Sequence, residues 1–325
     1  MSIQRRKVVV TDYTFPTLEH ERAAALASNA DFAAYQCRTA EEVTEVVLGA
    51  DVAVVQFAPL TAKAIEGLAS GAAVIRYGIG FDNLDIAAAN ARKIPTAYVP
   101  DYCIDEVADH TVALILAQLR KLAAFDASVR SGRWAAVEAA GPLASYNSTM
   151  IGFLGFGRIA QAVCDRLGPS GFGFAAADPA ADQAAASARG VQLVDPEALL
   201  EMVDVLTLHA PATPQTTNFI NAERLARMRP SAIVVNTARG ALIDEKALAD
   251  ALDAGKIAGA ALDVFQVEPL PQDSPLRKAP NIVLTPHAAW YSSAAIEKLQ
   301  RLVANDISAH LAGRSLRRLA PGSMP

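Results

Sequence analysis

Three segments of this chain each place a reactive side chain shortly after a run of apolar residues. Arg239 follows Ala232–Asn236, Glu268 follows Gly259–Val264, and His287 follows Ile282–Leu284. A guanidinium can polarise a carbonyl oxygen by forked donation, and an imidazolium can deliver a proton near neutral pH. A carboxylate beside the imidazole would orient it and stabilise its charged form. Together the three residue types predict a site that reduces a carbonyl group, because the developing alkoxide needs a polarising cation and a proton donor.

A glycine-rich turn precedes these segments in the chain. It consists of Gly155, Phe156, Gly157, Arg158, Ile159 and Ala160. The turn follows a predicted strand and opens a predicted helix, which is the context of a dinucleotide-binding motif. The first glycine permits the tight turn, the second lets the backbone approach a pyrophosphate, and alanine is accepted at the third position. The N-terminus of the helix would favour the phosphates.

An acidic residue stands where a dinucleotide site needs one. Asp178 ends the next predicted strand, about 18 residues after the motif. Its carboxylate would accept from the ribose hydroxyls and repel a 2′-phosphate. The nearest arginine downstream is Arg189. The motif and the acid predict NAD as the cofactor in preference to NADP.

Each of these residues also has a purely structural interpretation. The glycine turn could belong to another α/β fold, Arg239 could cap a helix or pair with Asp244, and Glu268 could be an ordinary loop acid. His287 could be a hydrogen-bonded loop histidine. Taken singly, the three side chains favour these interpretations. Their joint placement after successive strands, downstream of a dinucleotide motif, favours the catalytic one, because ligands bind outside the carboxyl ends of parallel strands.

The elements that must position these residues follow an alternating pattern of strands and helices. Strands are predicted at Val8–Thr11, Val52–Phe57, Ala73–Tyr77, Thr149–Leu154, Phe172–Ala177, Val203–Leu208, Ala232–Asn236, Gly259–Val264 and Ile282–Leu284. Helices are predicted at Leu18–Ser28, Glu41–Leu48, Ala62–Ala69, Ile104–Leu119, Arg158–Leu167 and Glu245–Ala254. Alternation of this kind is typical of an α/β fold with parallel sheets covered on both faces. The tail Arg314–Pro325 is predicted to be frayed.

Length and composition limit the remaining possibilities. The 325 residues exceed the usual size of a single core, so two domains are expected, with the first crossing near Pro100. A net charge of −5 argues against nucleic-acid binding, and the longest apolar stretch contains Asp109 and His110, so it is not a membrane span. Three widely spaced cysteines predict neither disulfides nor a metal site and suit a cytoplasmic protein.

These residues resemble the D-isomer-specific 2-hydroxyacid dehydrogenases over nearly the whole chain. The markers are the turn 155–160 with Asp178, the segment 236–240, the segment 259–264 with Glu268 and Pro269, the segment 285–290, and the loop 76–85. The resemblance implies two Rossmann-like, doubly wound domains, with the nucleotide domain inserted into the substrate domain. The implied bounds are 1–101 and 288–325 for the substrate domain and 102–287 for the NAD-binding domain. A homodimer formed by the helices after Pro100 is also implied.

The resemblance implies roles for further residues. An active site of Arg239, Glu268 and His287 is expected, with Arg76 and the amides of Gly78 and Ile79 on the substrate carboxylate. Asp263 is expected at the nicotinamide end. Further cofactor contacts are expected at Thr111, in the loop Ala210–Thr216 with Pro211 and the preceding His209, and at Thr237 and Ala238. Trp290 lies three residues after His287 and is expected to line the substrate pocket beside the proton donor, as an apolar wall.

The sequence leaves two functions open. The first is an NAD-dependent reductase of a small 2-keto acid, for which the intact Arg239, Glu268 and His287 argue. The second is an NAD(H)-sensing regulatory protein, because the stretches 80–83 and 287–291 look closest to the C-terminal-binding-protein branch of the family. A formate dehydrogenase is a weaker alternative, since that group carries glutamine at the position of Glu268. The substrate is expected to have an uncharged, apolar or thioether side chain, because no cluster of cations is left over for a phosphate.

Overall fold

The computed structural model describes residues 5–324, which form two compact units. Unit 1 contains the described residues up to Tyr102 together with those from Ser292 onward, and unit 2 is the continuous segment Cys103–Tyr291. One unit is therefore inserted into the chain of the other. Among the described residues, no helix has the length and apolar character needed to cross a membrane.

Unit 1 is built on a five-stranded parallel sheet. Its strands are β1 (Lys7–Val10), β2 (Asp31–Ala34), β3 (Val52–Val55), β4 (Ala73–Arg76) and β5 (Thr96–Ala97), in the spatial order β2-β1-β3-β4-β5. The helices between them are α1 (Glu19–Ala27), α2 (Ala40–Val46), α3 (Ala62–Glu66) and α4 (Ile86–Ala91). A long helix after unit 2, Ser293–Leu311, completes this unit by packing on α1.

Unit 2 is built on a seven-stranded parallel sheet. Its strands are β6 (Met150–Leu154), β7 (Gly173–Ala177), β8 (Val191–Leu193), β9 (Val205–Leu208), β10 (Ile233–Asn236), β11 (Gly259–Leu262) and β12 (Ile282–Leu284). The spatial order is β12-β11-β10-β9-β6-β7-β8. The order reverses beside β6, and such a switch point opens a crevice at the carboxyl ends of the strands.

Buried apolar clusters lie on both faces of the second sheet. The helices of unit 2 are α5 (Ile104–Leu119), α6 (Leu122–Arg130), α7 (Ala136–Ala140), α8 (Arg158–Leu167), α9 (Gln183–Ser187), α10 (Pro196–Met202), α11 (Ala222–Arg227) and α12 (Glu245–Asp253). The long C-terminal helix of unit 1 is α13 (Ser293–Leu311). Strands β9, β10 and β11 are buried along their whole length. Their continuous apolar sequences are those of strands covered on both faces, which explains why they lack alternation.

The α/β architecture predicted from the sequence is confirmed, with differences at the edges of the sheets. The predicted helices Ile104–Leu119 and Arg158–Leu167 and the predicted strand Ile282–Leu284 have the observed bounds, and the other predicted elements differ by a few residues at their ends. The sequence missed β2, β5 and β8, which are short edge strands of two to four residues. An edge strand pairs with a neighbour on one side only, and these three have too few apolar residues to form a recognisable strand pattern.

The prediction of a frayed tail was wrong for residues 314–324, and Pro325 lies outside the described residues. Leu319 forms an antiparallel bridge with Ala97 of β5. The amide of Tyr98 donates to Arg318 (3.1 Å), and the amide of Ala320 donates to Thr96 (2.8 Å). The tail therefore extends the first sheet beyond its short edge strand, and Pro321 and Gly322 follow a segment that is already paired.

Candidate active site

The glycine turn after β6 lies at the switch point of the second sheet. Gly155 has φ +87, and a Cβ atom there would lie 2.8 Å from the amide nitrogen of Ala210, which follows β9. Glycine is required at this position because the backbone is left-handed and because the backbone of the loop after β9 approaches closely. The amide of Gly155 also donates to Ala177 at the end of β7 (2.9 Å). The turn is thus fixed between the two strands that flank β6.

The second glycine of the turn meets a different requirement. Gly157 precedes α8, and a Cβ atom built on it would meet no atom within 4 Å. Whereas α12 and α13 are capped by the side chains of Asp244 and Ser292, α8 begins at a residue that has no side chain. The first N–H groups of a helix have no acceptor within it. The open side of Gly157 and this helix terminus fit the pyrophosphate of a dinucleotide.

Asp178 connects the end of β7 to the glycine turn. Its Oδ2 accepts from the amide of Phe156 (2.7 Å) and its Oδ1 from the amide of Ala180 (2.8 Å). Each carboxylate oxygen can accept more than one hydrogen bond, so Asp178 retains capacity for ribose hydroxyls. The guanidinium of Arg189 is engaged by Asp165 at 2.7 and 3.0 Å. A carboxylate at the end of β7, with the nearest downstream arginine paired elsewhere, fits NAD better than NADP.

Two predicted cofactor residues from distant parts of the chain are in direct contact. Thr111 of α5 and Thr237 after β10 lie 2.7 Å apart at their Oγ1 atoms. The Thr111 hydroxyl donates to Val107 (2.7 Å), so the hydroxyl of Thr237 is the donor between them. Ala238 follows directly, and its amide donates to the side chain of Asn236 (3.0 Å).

The loop after β9 contains the remaining predicted cofactor residues. Thr216 holds this loop closed, because its hydroxyl donates to the carbonyl of Pro211 (2.6 Å) and accepts from the amide of Thr213 (2.8 Å). His209 lies at the start of the loop, 3.0 Å from the hydroxyl of Thr207. Burial lowers the pKa of His209 to about 3, so its imidazole is neutral at physiological pH. His209 therefore cannot act as a proton donor there.

Arg239 and Glu268 belong to two loops that pack directly on each other. Asn236 donates to the carbonyl of Arg239 (2.8 Å), which fixes the loop after β10. A Cβ atom on Gly240 would collide with the backbone of Phe265, so this position requires glycine. The amide of Phe265 in turn donates to Oε1 of Glu268 (2.9 Å). The sequence signalled Arg239 and Glu268 but gave no sign of the contact through Gly240.

Glu268 and His287 form a hydrogen-bonded pair. Nδ1 of His287 lies 2.6 Å from Oε2 of Glu268, and each side chain is about 30% exposed. Because Glu268 engages Nδ1, a proton given to a substrate would come from the other ring nitrogen of His287, Nε2. The amide of His287 donates to the carbonyl of Asp263 (2.7 Å), and the residue has φ +52. The predicted partnership of Glu268 with His287 is thus present as a short contact at the carboxyl ends of β11 and β12.

Two further predicted residues of unit 2 lie in the same region. The carboxylate of Asp263 is fully buried and accepts from the amides of Ala288 and Ala289, both at 2.9 Å. Its predicted contact with the nicotinamide stays a prediction. Trp290 is half-buried and makes an edge-to-face contact with the exposed ring of Tyr291, at 5.9 Å between ring centroids.

The predicted carboxylate-binding residues Arg76, Gly78 and Ile79 all lie in unit 1, at the end of β4. A guanidinium nitrogen of Arg76 donates to the carbonyl of Tyr77, and Gly78 has φ +120. The φ of Gly78 favours glycine, and a Cβ atom there would also force the Arg76 guanidinium to shift. The hydroxyl of Tyr77 donates to the buried carboxylate of Glu21 on α1 (2.9 Å). Nothing in the sequence signalled Glu21.

Residues 112–289 of the chain, more than half of its length, match the NAD-binding domain of the D-isomer specific 2-hydroxyacid dehydrogenase family. A D-3-phosphoglycerate dehydrogenase of Methanocaldococcus jannaschii is 39% identical over 277 residues, which cover 85% of this chain and 52% of that protein. A glyoxylate reductase of Korarchaeum cryptofilum is 37% identical over 257 residues, covering 78% of this chain and 77% of that protein. The solved structure of a Thermus thermophilus protein superposes with a TM-score of 0.86 at 30% identity, covering 97% of this chain and 99% of that one.

The chain belongs to the D-isomer-specific 2-hydroxyacid dehydrogenase family. The resemblance inferred from the motifs is thereby confirmed, as is the prediction of an NAD-binding domain. The chain spans about half the length of the phosphoglycerate dehydrogenases that it matches. Both curated relatives described above are named as enzymes, which gives no support to the likeness to the C-terminal-binding-protein branch. Among residues 5–324 there is no cluster of three or more side chains suited to a metal ion.

Proposed function

We propose that this protein is an NAD-dependent dehydrogenase that interconverts a small 2-keto acid and the corresponding D-2-hydroxy acid. The observation that supports this most directly is the 2.6 Å contact between Glu268 and His287, in a domain whose glycine turn and Asp178 fit NAD. A protein that only senses NAD(H) needs no oriented proton donor, so this pair favours the enzyme over the sensing alternative.

The residues of unit 2 supply the parts of a carbonyl reduction. When bound, NADH provides the hydride that adds to the α-carbon. Arg239 draws charge onto the carbonyl oxygen, and His287 transfers the proton on Nε2 to that oxygen as the C–O double bond becomes single. Glu268 holds Nδ1 of His287 at 2.6 Å and so orients the imidazole. In the reverse direction, His287 accepts the hydroxyl proton, and bound NAD⁺ would take up the hydride from the α-carbon.

The remaining site residues hold the two ligands. We assign the substrate carboxylate to Arg76 and to the amides of Gly78 and Ile79, because a guanidinium with adjacent N–H groups suits a planar anion. The cofactor is assigned to the glycine turn, Asp178, Thr111 of α5, and residues at the carboxyl ends of the strands. These last residues are His209, Ala210, Pro211, Thr216, Thr237, Ala238 and Asp263, together with Arg239 and His287 of the catalytic site.

A direct test is to follow NADH and NADPH consumption with a panel of 2-keto acids. Steady turnover of at least one acid with NADH is the expected result, and His287→Ala should lower it by about 10²- to 10⁴-fold with NADH binding largely kept. His20→Gln is a suitable control, because His20 also pairs with a glutamate, Glu297 at 3.0 Å, but lies in unit 1. Tight NADH binding with no turnover of any acid would instead favour the sensing function.

The proposed substrate has an uncharged, apolar or thioether side chain. Trp290 supports this, because it lies three residues after His287 and a half-buried indole offers apolar area and excludes water. The expected result is a higher kcat/KM for such acids than for phosphohydroxypyruvate. Trp290→Ala should discriminate less between 2-keto acids that differ in their side chain. The alternative is a phosphorylated acid, the class of substrate in the name of the Methanocaldococcus jannaschii relative. A preference for the phosphorylated acid, or a uniform loss across all acids in the variant, would exclude the apolar assignment.

We further propose that the protein is a cytoplasmic homodimer. Cys37, Cys103 and Cys164 are buried and form no disulfide among the described residues, which suits a reducing compartment. Four large apolar side chains of residues 122–137 are more than half exposed in unit 2, and Trp134 is 93% exposed. A surface of this kind is typical of an interface, and a second copy of the chain would cover it.

A further inference from the structure

A buried polar network lies behind the loop that carries His287. Its centre is the carboxylate of Asp263, which has no exposed surface. Oδ1 accepts from the hydroxyl of Thr285 (2.5 Å) and from the amide of Ala288 (2.9 Å), while Oδ2 accepts from the amide of Ala289 (2.9 Å). A fully buried carboxylate is costly unless donors surround it, so each of these contacts contributes to keeping it in place.

His110 of α5 extends the network by one step. Its Nε2 lies 3.1 Å from the Thr285 hydroxyl and 3.6 Å from Oδ1 of Asp263. The Thr285 hydroxyl carries a single proton, which is donated to Asp263, so it accepts from His110. The donation therefore runs from Nε2–H of His110 to Thr285 and then to Asp263, and it links α5 to the loop after β12.

This network fixes the backbone on both sides of His287. Thr285 is held two residues before it, and Ala288 and Ala289 are held directly after it. The amide of His287 itself donates to the Asp263 carbonyl (2.7 Å). At φ +52, His287 adopts a left-handed conformation that a residue with a side chain enters only when its surroundings stabilise it. The contact with Glu268 depends on this conformation.

We infer that His110 and Thr285 are positioning residues for proton transfer by His287. Acting through Asp263, they fix residues 287–289 so that Nδ1 of the imidazole meets Glu268 and the ring keeps one orientation. This inference rests on the proposed role of His287 as proton donor. Neither His110 nor Thr285 needs to touch the substrate for it to hold.

The test begins with a pair of substitutions at Thr285. Thr285→Val keeps the shape but removes the hydroxyl, and Thr285→Ser restores the hydroxyl. Because small displacements of a catalytic group are costly, kcat should fall about 10- to 100-fold in Thr285→Val. KM for the keto acid should stay within about threefold, since ground-state binding is kept, and Thr285→Ser should recover most of kcat. Thr44→Val is the matched control, because Thr44 donates only to the carbonyl of Ala40 within α2 (2.7 Å).

A second pair of variants tests the donor at His110. His110→Gln retains an N–H donor and should lose less kcat than His110→Phe, which retains none. The imidazole ¹⁵N chemical shifts of His287, measured by NMR without ligand, should change in Thr285→Val and His110→Phe and return toward the original values in Thr285→Ser. If Thr285→Val fails to fold, as judged by circular dichroism, the His110 pair decides the question alone.

Parallel measurements on His287→Ala separate this inference from the function on which it rests. Unchanged turnover in His287→Ala would remove the proton donor and with it the proposed mechanism. A large loss in His287→Ala, with kcat and ¹⁵N shifts unchanged in Thr285→Val and in both His110 variants, would overturn the positioning role and leave the mechanism intact.

Discussion

At the scale of single residues, Glu268 uses both of its carboxylate oxygens. Oε1 accepts from the amide of Phe265 and Oε2 contacts Nδ1 of His287, whereas glutamine has only one carbonyl oxygen. The imidazole should therefore be held less well in Glu268→Gln, and kcat should fall about 10- to 100-fold with NADH binding kept. Steady-state kinetics tests this, with Glu297→Gln as the control, because Glu297 also pairs with a histidine but lies in unit 1. An unchanged kcat would mean that the carboxylate is not needed to orient the ring.

Asp178 sets the expected preference for NADH over NADPH. The carboxylate repels a 2′-phosphate, and removal of a charge interaction of about 1–2 kcal/mol changes a binding ratio roughly 10-fold. In Asp178→Asn, the ratio of kcat/KM with NADH to kcat/KM with NADPH should therefore fall about 10-fold. The asparagine side chain can still accept the hydrogen bond from the amide of Phe156. Asp178→Ala should lower this ratio as well and also weaken NADH binding, because the turn loses its anchor. Equal use of both cofactors by the unmodified enzyme would contradict the assignment.

At the scale of elements, the sequence predicted most accurately the helices and strands whose pattern lies within a single segment of the chain. The helix Arg158–Leu167 and the strand Ile282–Leu284 have strong local patterns, and their bounds were predicted correctly. The sequence predicted Asp263 only as a contact of the nicotinamide. Its acceptance from the amides of Ala288 and Ala289 could not be predicted, because those amides belong to a loop that the sheet order brings beside β11. The tail was misjudged for the same reason: its polar and Pro/Gly composition suggests fraying, yet its backbone pairs with a distant edge strand.

Three elements of unit 1 meet at Glu21. Its carboxylate on α1 accepts from Tyr77 after β4 (2.9 Å) and from Gln300 of α13 (3.3 Å). Burial is the main cause that raises the pKa of Glu21 above its ordinary value, and the hydrogen bonds lower it in part. The folded state therefore holds the proton more tightly than the unfolded state. Stability should fall as pH rises from the ordinary pKa through the raised one.

Glu21→Gln should remove this pH dependence, because a neutral amide has no proton to lose. The expected result is that the unfolding midpoint in urea changes less between mildly acidic and neutral pH in Glu21→Gln than in the parent. Glu19→Gln on the same helix is exposed and serves as the control. Parallel pH curves for Glu21→Gln and the parent would show that Glu21 does not titrate across this range.

At the scale of the whole molecule, unit 2 exposes an apolar surface on α6, on α7 and on the turn between them. Leu122, Val129, Trp134 and Val137 are each more than half exposed. Tryptophan side chains that become buried at an interface are frequent hot spots, and their truncation typically costs about 2–4 kcal/mol. A loss of that size weakens self-association by about 30- to 1,000-fold.

Trp134→Ser should therefore convert the proposed homodimer to monomer at micromolar concentrations. Analytical ultracentrifugation across a dilution series measures the change, and Leu26→Ser is the control, because Leu26 is an exposed apolar residue of α1 in unit 1. Circular dichroism and NADH binding should be unchanged, since residue 134 contributes neither to the core nor to the cofactor residues. If Trp134→Ser sediments like the parent at every concentration, the exposed surface of α6 and α7 is not the contact between copies.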